Sequence, residues 1–448
     1  MASDTMVQLQ QQGALEGVTE QAQLEELDLA FYQGTLRKAE GDGDLRLHGL
    51  DVRPGCKVGD NFSSIVTRNT ARGVRGNGTG FQRSVIVKRA PDRDRFRCLA
   101  AFAKETEAYS VLVPALARAV SWSRLPLPRC LHASETERPD HIVLEDLAAE
   151  GFAMPPRGRE LDQAHAALVL RALGRFHGAS LALRYADPAT FHRLRADTAE
   201  LIFFPEAEAV FSSTLGAAAS LAVLSLKRSG RADLGRRLTA RAAAPGIFRE
   251  MCDAVLPPTD DGEVPAVFTH GDCWANNLLF RYKDGHPCET KLIDLAGIRC
   301  SSPALDLLHF LYTSVSREVR TVHRQQLLDE YLDSLRETLQ ETAGTNPAVD
   351  QHTTSTIVAT GIPLTRAQLE VEMRRRAPFG LWMGLWMLPA IFFSPSLLPK
   401  GPGPVDYYSQ ATQAHLCAAL PKEFHQRVLH LVEEHAEIGA LENESREA

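Results

Sequence analysis

One feature constrains the chain most: a change of periodicity near Leu147. Before it, runs rich in β-branched and aromatic residues alternate with polar turns. After it, apolar residues recur at helical spacing almost to the C-terminus. Residues 1–20 read as a polar tail and 21–40 as a first helix. Strand-like runs follow over 45–58, broken at Pro54-Gly55, then 59–71 and 81–90. The last two flank a turn cluster, Gly73 to Gly80, which is the signal of a hairpin. Helical spacing covers 94–119 (Phe96, Leu99, Phe102, Tyr109, Leu112, Val113, Leu116), and a strand pair covers 127–133 and 141–147. Beyond this lie a long Ala/Leu-rich helix over 161–184, further helices, and a β-like island over 266–294. The expected organisation is α+β and bilobal. A small β-rich N-lobe (21–146) precedes a larger helical C-lobe (147–440) and a polar tail (441–448), and a site is expected in the cleft between the lobes.

Charge narrows the range of partners. The 448 residues carry 49 Lys+Arg against 56 Asp+Glu, a net charge of −7, which argues against nucleic acid as a partner. None of the eight cysteines forms a C-x-x-C pair, and a chain of this size needs no disulfides, so reduced thiols are expected. The N-terminus has neither a basic start nor an apolar stretch, and a cytosolic location is expected. One stretch argues for a membrane: 23 uncharged residues separate Arg376 from Lys400 and contain a G-x-x-x-G at Gly380 and Gly384. Pro378, Pro389, Pro395 and Pro399 interrupt it. A buried helix over 379–388, too short to span a bilayer, is the expected outcome, with no membrane partner.

The densest chemistry is His270-Gly-Asp-Cys-Trp-Ala-Asn-Asn277, followed by a hairpin and Lys291-Leu-Ile-Asp294. Phosphoryl transfer needs a carboxylate for the proton of the attacking hydroxyl, and oxygen ligands for a magnesium ion on the phosphates. Asp272 suits the first role. Asn277, five residues on, and Asp294, at the end of an apolar strand, suit the second. A buried Asp capping a turn would explain a lone H-G-D but not the full spacing.

Upstream, Lys88 lies in the apolar run Ser84-Val-Ile-Val-Lys, where an ammonium could neutralise phosphates, and Glu105 on the next helix could hold it. Gly76 to Gly80 reads as a hairpin tip. The segment Gly59-Asp-Asn61-Phe62-Ser63-Ser64 is the better candidate to cover a nucleotide with its N–H groups and hydroxyls. The segment from Ile142 through Glu145 to Leu147 would connect the lobes and meet an adenine edge. His177 is expected in the core, His270 as a brace of the catalytic loop, Trp274 in packing, and Arg374 to Arg376 on a solvated helix face.

These segments resemble the EcKinase-like (CHK kinase-like) family, which is related to ecdysteroid kinases and more distantly to choline kinases and aminoglycoside phosphotransferases. The resemblance rests on GDNFSS, VIVKRAP, KETEAYSVLVPAL, VLEDL, LGRFHGASLAL, HGDCWANNLLF, KLIDLAG and SSPALDLLHFLYTS, spread over about 59–315. It implies a protein-kinase-like fold and ATP/Mg2+-dependent phosphorylation of a small-molecule hydroxyl, an ecdysteroid or another alcohol. It assigns Asp272 as base, Asn277 and Asp294 as metal ligands, Lys88 with Glu105 as the phosphate-lysine pair, and Asp306 as a support of the catalytic loop. The chain departs from the family pattern at Cys273, where a leucine is usual, and at Leu295-Ala296. A protein kinase is disfavoured: only 12 residues run from Asp294 to Asp306, leaving no room for a peptide-binding activation loop, and no protein partner is implied. A catalytically inactive binding protein on the same fold is the alternative.

Overall fold

The computed structural model describes residues 27–55, 64–90, 96–134, 141–260, 262–345, 364–394, 397 and 406–442. Five strands form an antiparallel sheet: β1 (Arg46–Pro54), β2 (Ile65–Val74), β3 (Gly80–Arg89), β4 (Cys130–Ser134) and β5 (His141–Glu145), in the order β1-β2-β3-β5-β4. The turn between β2 and β3 closes through Arg75 N–H to the Thr79 carbonyl (2.8 Å) and Gly78 N–H to the Arg75 carbonyl (2.9 Å). Gly78 takes the left-handed φ of +84° that this turn requires. Gly76 to Gly80 is thus a hairpin tip, as its position between two β-rich runs indicates.

The two faces of the sheet belong to different cores, and the strand period of two decides which residue joins which. Val85, Val87 and Val143 pack outward with Tyr32 and Leu36 of the Leu29–Glu40 helix in a small satellite core. Ile142 and Leu144 of β5 join the main core, against which Ile86 packs. Lys88, two residues beyond Ile86, therefore shares the inner face. Phe102, Leu116, Ile142 and Leu144 lie in one hydrophobic cluster with Phe176, Phe268 and Phe310, so the lobes share a core across their boundary.

The second part is helical around two small sheets. Strands β6 (Phe152–Ala153), β8 (Leu278–Lys283) and β9 (His286–Leu292) form one, in the order β6-β8-β9. Strands β7 (Val267–Thr269) and β10 (Arg299–Ser301) pair in the other. The order is the two-lobed, protein-kinase-like α+β one, with the β island where the sequence puts it and two strands more, β6 and β10.

Two expectations need correction. The apolar helix runs over Ala377–Phe392, beyond 379–388, with Pro389 inside it. A proline costs a helix one backbone bond. The helix is buried along most of its length, from Phe379 to Ile391, and that packing holds it through the interruption. At 16 residues it extends about 24 Å. Among the described residues one helix, Pro205–Arg228, is long and apolar enough to cross a membrane, and its Phe211, Leu215, Ala222 and Leu226 belong to the main core. The second correction concerns Arg376, which is buried: it pairs with Glu372 and donates to the carbonyls of Ala254 and Leu256. A charge run at a helix end looks solvated in sequence because its carbonyl acceptors lie some 120 residues away.

Candidate active site

Three elements bring one charged cluster together. From the inner face of β3, Lys88 forms an ion pair with Glu105 of the Phe96–Glu107 helix, and its Nζ lies 3.3 Å from Asp294 Oδ1. Lys88 and Glu105 are both buried. The other oxygen of Glu105 accepts the Leu295 N–H (3.2 Å), so a single carboxylate joins helix, lysine and the loop after β9. Burial works against a charged Lys88, but Asp294 and then Glu105 hold its pKa above the ordinary lysine value. Burial pushes Glu105 upward and the ammonium beside it pulls back. Asp294 adopts φ +69°, unusual for a residue with a Cβ, and its carboxylate caps the following turn at the Ala296 N–H (3.4 Å). A non-glycine left-handed residue that the surroundings enforce is often part of a functional site.

The catalytic loop, between β7 and β8, is anchored from below. Asp306, on the Ala304–Ser314 helix, accepts the His270 N–H (2.6 Å) and the Gly271 N–H (2.9 Å). His177 Nε2 meets the same carboxylate at 3.1 Å, and its Nδ1 meets the Tyr331 hydroxyl at 3.0 Å. Burial alone would raise Asp306; the bond from His177 and the Gly271 N–H bring it down to about 2. His270 spans the loop, with Nε2 on the Ile293 carbonyl (3.0 Å) and Nδ1 accepting the Asp272 N–H (3.3 Å). Burial lowers its pKa, so the ring is neutral and acts as a brace. Gly271 is required by space: at φ +83°, a Cβ there would stand 1.8 Å from the Gly297 carbonyl oxygen. This backbone crossing fixes the catalytic loop against the Asp294 loop.

Asp272 stands at the mouth of this assembly. Its Oδ2 accepts from Asn277 Nδ2 (2.7 Å) and Trp274 Nε1 (3.3 Å), and Asn277 also donates to the Asp272 carbonyl (2.9 Å). Enclosure by protein, then the charge of Asp294, push its pKa up to about 7. Because 40% of the side chain is open to the cleft, water moderates that push. Asn277 spends its amide N–H groups on Asp272. Its Oδ1, and Asp294 Oδ2, have no protein donor among the described residues. Two hard oxygens without protein donors suit magnesium, which takes few protein ligands and completes its shell with phosphate and water. The described residues hold no group of three or more His, Cys, Asp or Glu fit for a metal, so no all-protein cage competes with this reading.

Lys88, Glu105, Asp272, Asn277, Asp294, His270 and Asp306 are thus linked in one network. The proposed nucleotide cover is only partly described: Ser64 opens β2, whereas Gly59, Asn61, Phe62 and Ser63 lie outside the described residues. Glu145 is engaged with Arg129, through its side chain (2.8 Å) and its own N–H (2.9 Å), and Leu147 is buried. Cys273 and Leu295, the departures from the family pattern, are fully buried behind the loop. A cavity of about 790 Å3, lined by Arg157, Arg317, Phe392, Phe393 and Arg427 among others, includes none of the cleft carboxylates. Convergent charge, and not cavity size, marks the site. Sequence reading passed over His309, whose Nε2 is 3.8 Å from Asp272 Oδ1, and the buried Lys104 and Arg299 with the partly buried, oppositely charged Glu200. The period of the Ala304–Ser314 helix could have flagged His309, which falls one turn after Asp306.

Several solved structures are similar to this chain. The GDP complex of a point mutant of aminoglycoside 2'-phosphotransferase-IIIa shares 13% identity, with coverage of 93% of this chain and 100% of that one and a TM-score of 0.37. A choline/ethanolamine kinase family protein from Mesorhizobium loti shares 15%, with coverage of 81% and 89% and a TM-score of 0.32. An ethanolamine kinase from Plasmodium vivax shares 11%, with coverage of 92% and 94% and a TM-score of 0.33. No curated protein matches the chain significantly. The profile of the ecdysteroid kinase-like family matches residues 58–343, and with more than half of its length so matched, this chain belongs to that family.

Proposed function

We propose that the protein is a small-molecule kinase that uses ATP and Mg2+ to phosphorylate a hydroxyl group, with ecdysteroids and other steroid alcohols among the acceptors to test. The observation that carries this reading is the convergence of Lys88, Glu105, Asp294, Asn277 and Asp272 in one cleft, with two oxygens free for a cation. In this reading Asn277 and Asp294 hold magnesium, which would neutralise charge on the phosphates. Lys88, set by Glu105, lies along the phosphates. The acceptor hydroxyl gives its proton to Asp272 as its oxygen attacks the γ-phosphorus, and the bond from phosphorus to the β,γ-bridging oxygen breaks. Asn277 and Trp274 fix Asp272 Oδ2, leaving Oδ1 to take the proton. The reaction would run in the cytosol on a freely diffusing substrate.

A screen of hydroxyl-bearing metabolites and steroids with γ-labelled ATP and the purified protein tests the activity. With the acceptor it selects, Asp272→Asn should lower kcat at least about a hundredfold, in the range of general-base effects, while nucleotide affinity stays within a few fold. A variant with near-wild-type kcat, or one that loses MgATP binding outright, would show that the roles are wrongly assigned.

A further inference from the structure

We propose that His309 is the positioning residue of the catalytic base, holding the proton-accepting oxygen of Asp272 through an Nε2–H donor. The proposal rests on the reading of Asp272 as the base. Its starting point is an asymmetry within that carboxylate. Oδ2 is held by Asn277 and Trp274, whereas Oδ1 receives neither and faces His309 Nε2 at 3.8 Å. His309 itself is 1% exposed, and among the described residues neither ring nitrogen has a hydrogen-bond partner. Buried polar atoms without partners are rare, and each calls for an explanation.

The surroundings of the ring restrict what that partner can be. The imidazole meets the Phe379 ring edge-on at 6.5 Å between centroids, and the Arg299 guanidinium lies 5.8 Å from the Phe379 ring centre. A phenyl ring and a cation offer no conventional acceptor to an imidazole N–H. Asp306 also lies near the ring, but its oxygens are taken by His177 and by the N–H groups of His270 and Gly271; the carboxylate oxygen that faces a ring nitrogen is Asp272 Oδ1. Burial outweighs the pull of Asp306 and, with the charge of Arg299, keeps the imidazole neutral, so it carries one N–H, and the tautomer that fits a facing carboxylate has it on Nε2. The present gap exceeds a hydrogen bond by roughly 0.6–1 Å, a distance that a small turn of the Asp272 side chain can close.

A carboxylate oxygen can accept two donors. Oδ1 can therefore receive the acceptor hydroxyl on its open side and His309 on its buried side. Because it is buried, His309 does not reach the acceptor and acts through Asp272. Held at both oxygens, the carboxylate cannot turn its accepting lone pair away from the incoming hydroxyl.

The test compares His309→Leu, His309→Gln, Asp272→Asn and the double variant His309→Leu/Asp272→Asn. It uses MgATP with water as acceptor, and the alcohol selected by the labelled-ATP screen. His309→Leu should lower kcat about tenfold or more with the KM for MgATP within about threefold, the pattern of an interaction made in the transition state. His309→Gln, which can offer an N–H near the Nε2 position, should recover most of that loss. In the Asp272→Asn background the leucine should cost nothing further. An equal loss in both backgrounds, or a glutamine variant as impaired as the leucine one, would reduce His309 to packing and overturn the proposal. If the leucine variant does not fold, 15N-histidine NMR of the wild type against Asp272→Ala decides: a shifted His309 Nε2 resonance supports the bond and an unmoved one overturns it. Wild-type turnover in Asp272→Asn would overturn the base reading and this proposal with it. That result is distinct from failure of His309 alone, in which Asp272→Asn is inactive and His309→Leu is not.

Discussion

The two sides of the cleft are built differently. On the proposed nucleotide side, Lys88 is held by Glu105 and Asp294, and the second oxygen of Glu105 is spent on the Leu295 N–H. On the proposed acceptor side, Asp272 has one oxygen doubly held and one without a hydrogen bond, facing a histidine whose ring nitrogens have no hydrogen-bond partner among the described residues. Around Lys88 the charges largely satisfy one another, with Asp294 Oδ2 left over. Around Asp272, one carboxylate oxygen and both ring nitrogens of His309 are without a hydrogen bond among the described residues. In transfer chemistry this division is sensible: phosphates are the same in every turnover and reward a rigid cradle, whereas the proton must move.

Breaking the closed side at its centre should have the largest effect. Asp294→Ala removes both the proposed metal carboxylate and one of the two anions holding Lys88. It should abolish the MgATP-dependent rise in melting temperature and all detectable turnover; a thermal shift equal to wild type would contradict the assignment. Glu105→Gln is milder, since the amide oxygen can still accept the Leu295 N–H while the charge is lost. A fall in kcat/KM for MgATP of about tenfold to a hundredfold is expected, with a reduced but measurable thermal shift, in line with the loss of one charged contact. If this variant were as inactive as Asp294→Ala, the three charges would act as one unit.

The smallest effect sharpens the comparison from outside the cleft. Lys104, beside Glu105 on the same helix, is buried, donates to the Ala199 carbonyl (2.7 Å), and has a pKa lowered by burial to about 8. Between about pH 8 and the ordinary lysine value of 10.5, the unfolded chain binds more protons at this site than the folded one, so stability rises with pH. Relative to Lys104→Met, the wild-type melting temperature should therefore gain a few degrees between about pH 7.5 and 9.5, a scale set by roughly 1 kcal/mol or more. Parallel pH curves for the two proteins would mean that Lys104 is not held as described.

Legibility from sequence followed distance along the chain. The order of the lobes, the hairpin tip and the spacing of Asp272, Asn277 and Asp294 are local patterns, and local patterns survive in a string of letters. Lys88 is less legible, because a lysine in an apolar run can also face water from an edge strand; the alternation of Val85 and Val87 against Ile86 and Lys88 resolves it once the two cores are known. His177 read as a core histidine, and it is buried, but its bonds to Asp306 and Tyr331, 129 and 154 residues away, lay beyond any periodicity. Arg376, Glu200 and Arg299 were illegible for the same reason: the carbonyls that Arg376 meets, and the Glu200 that pairs with Arg299, come from distant segments.

The alternation along β3 also bears on folding fidelity. Because successive strand residues face opposite sides, slipping β3 by one residue against β2 and β5 would leave a sheet with nearly all its ladder intact, yet turn Lys88 from the cleft toward the Leu29–Glu40 helix. The slipped chain would keep its secondary structure and be blank as a catalyst. The Arg75–Thr79 turn, far from the cleft along the strand, prevents this by setting the count from which every later residue of β3 takes its side. A loop outside the proposed site thus acts as the zero mark of the strand, and changing its length by one residue would mis-set Lys88 and move Val85 and Val87 out of their core together.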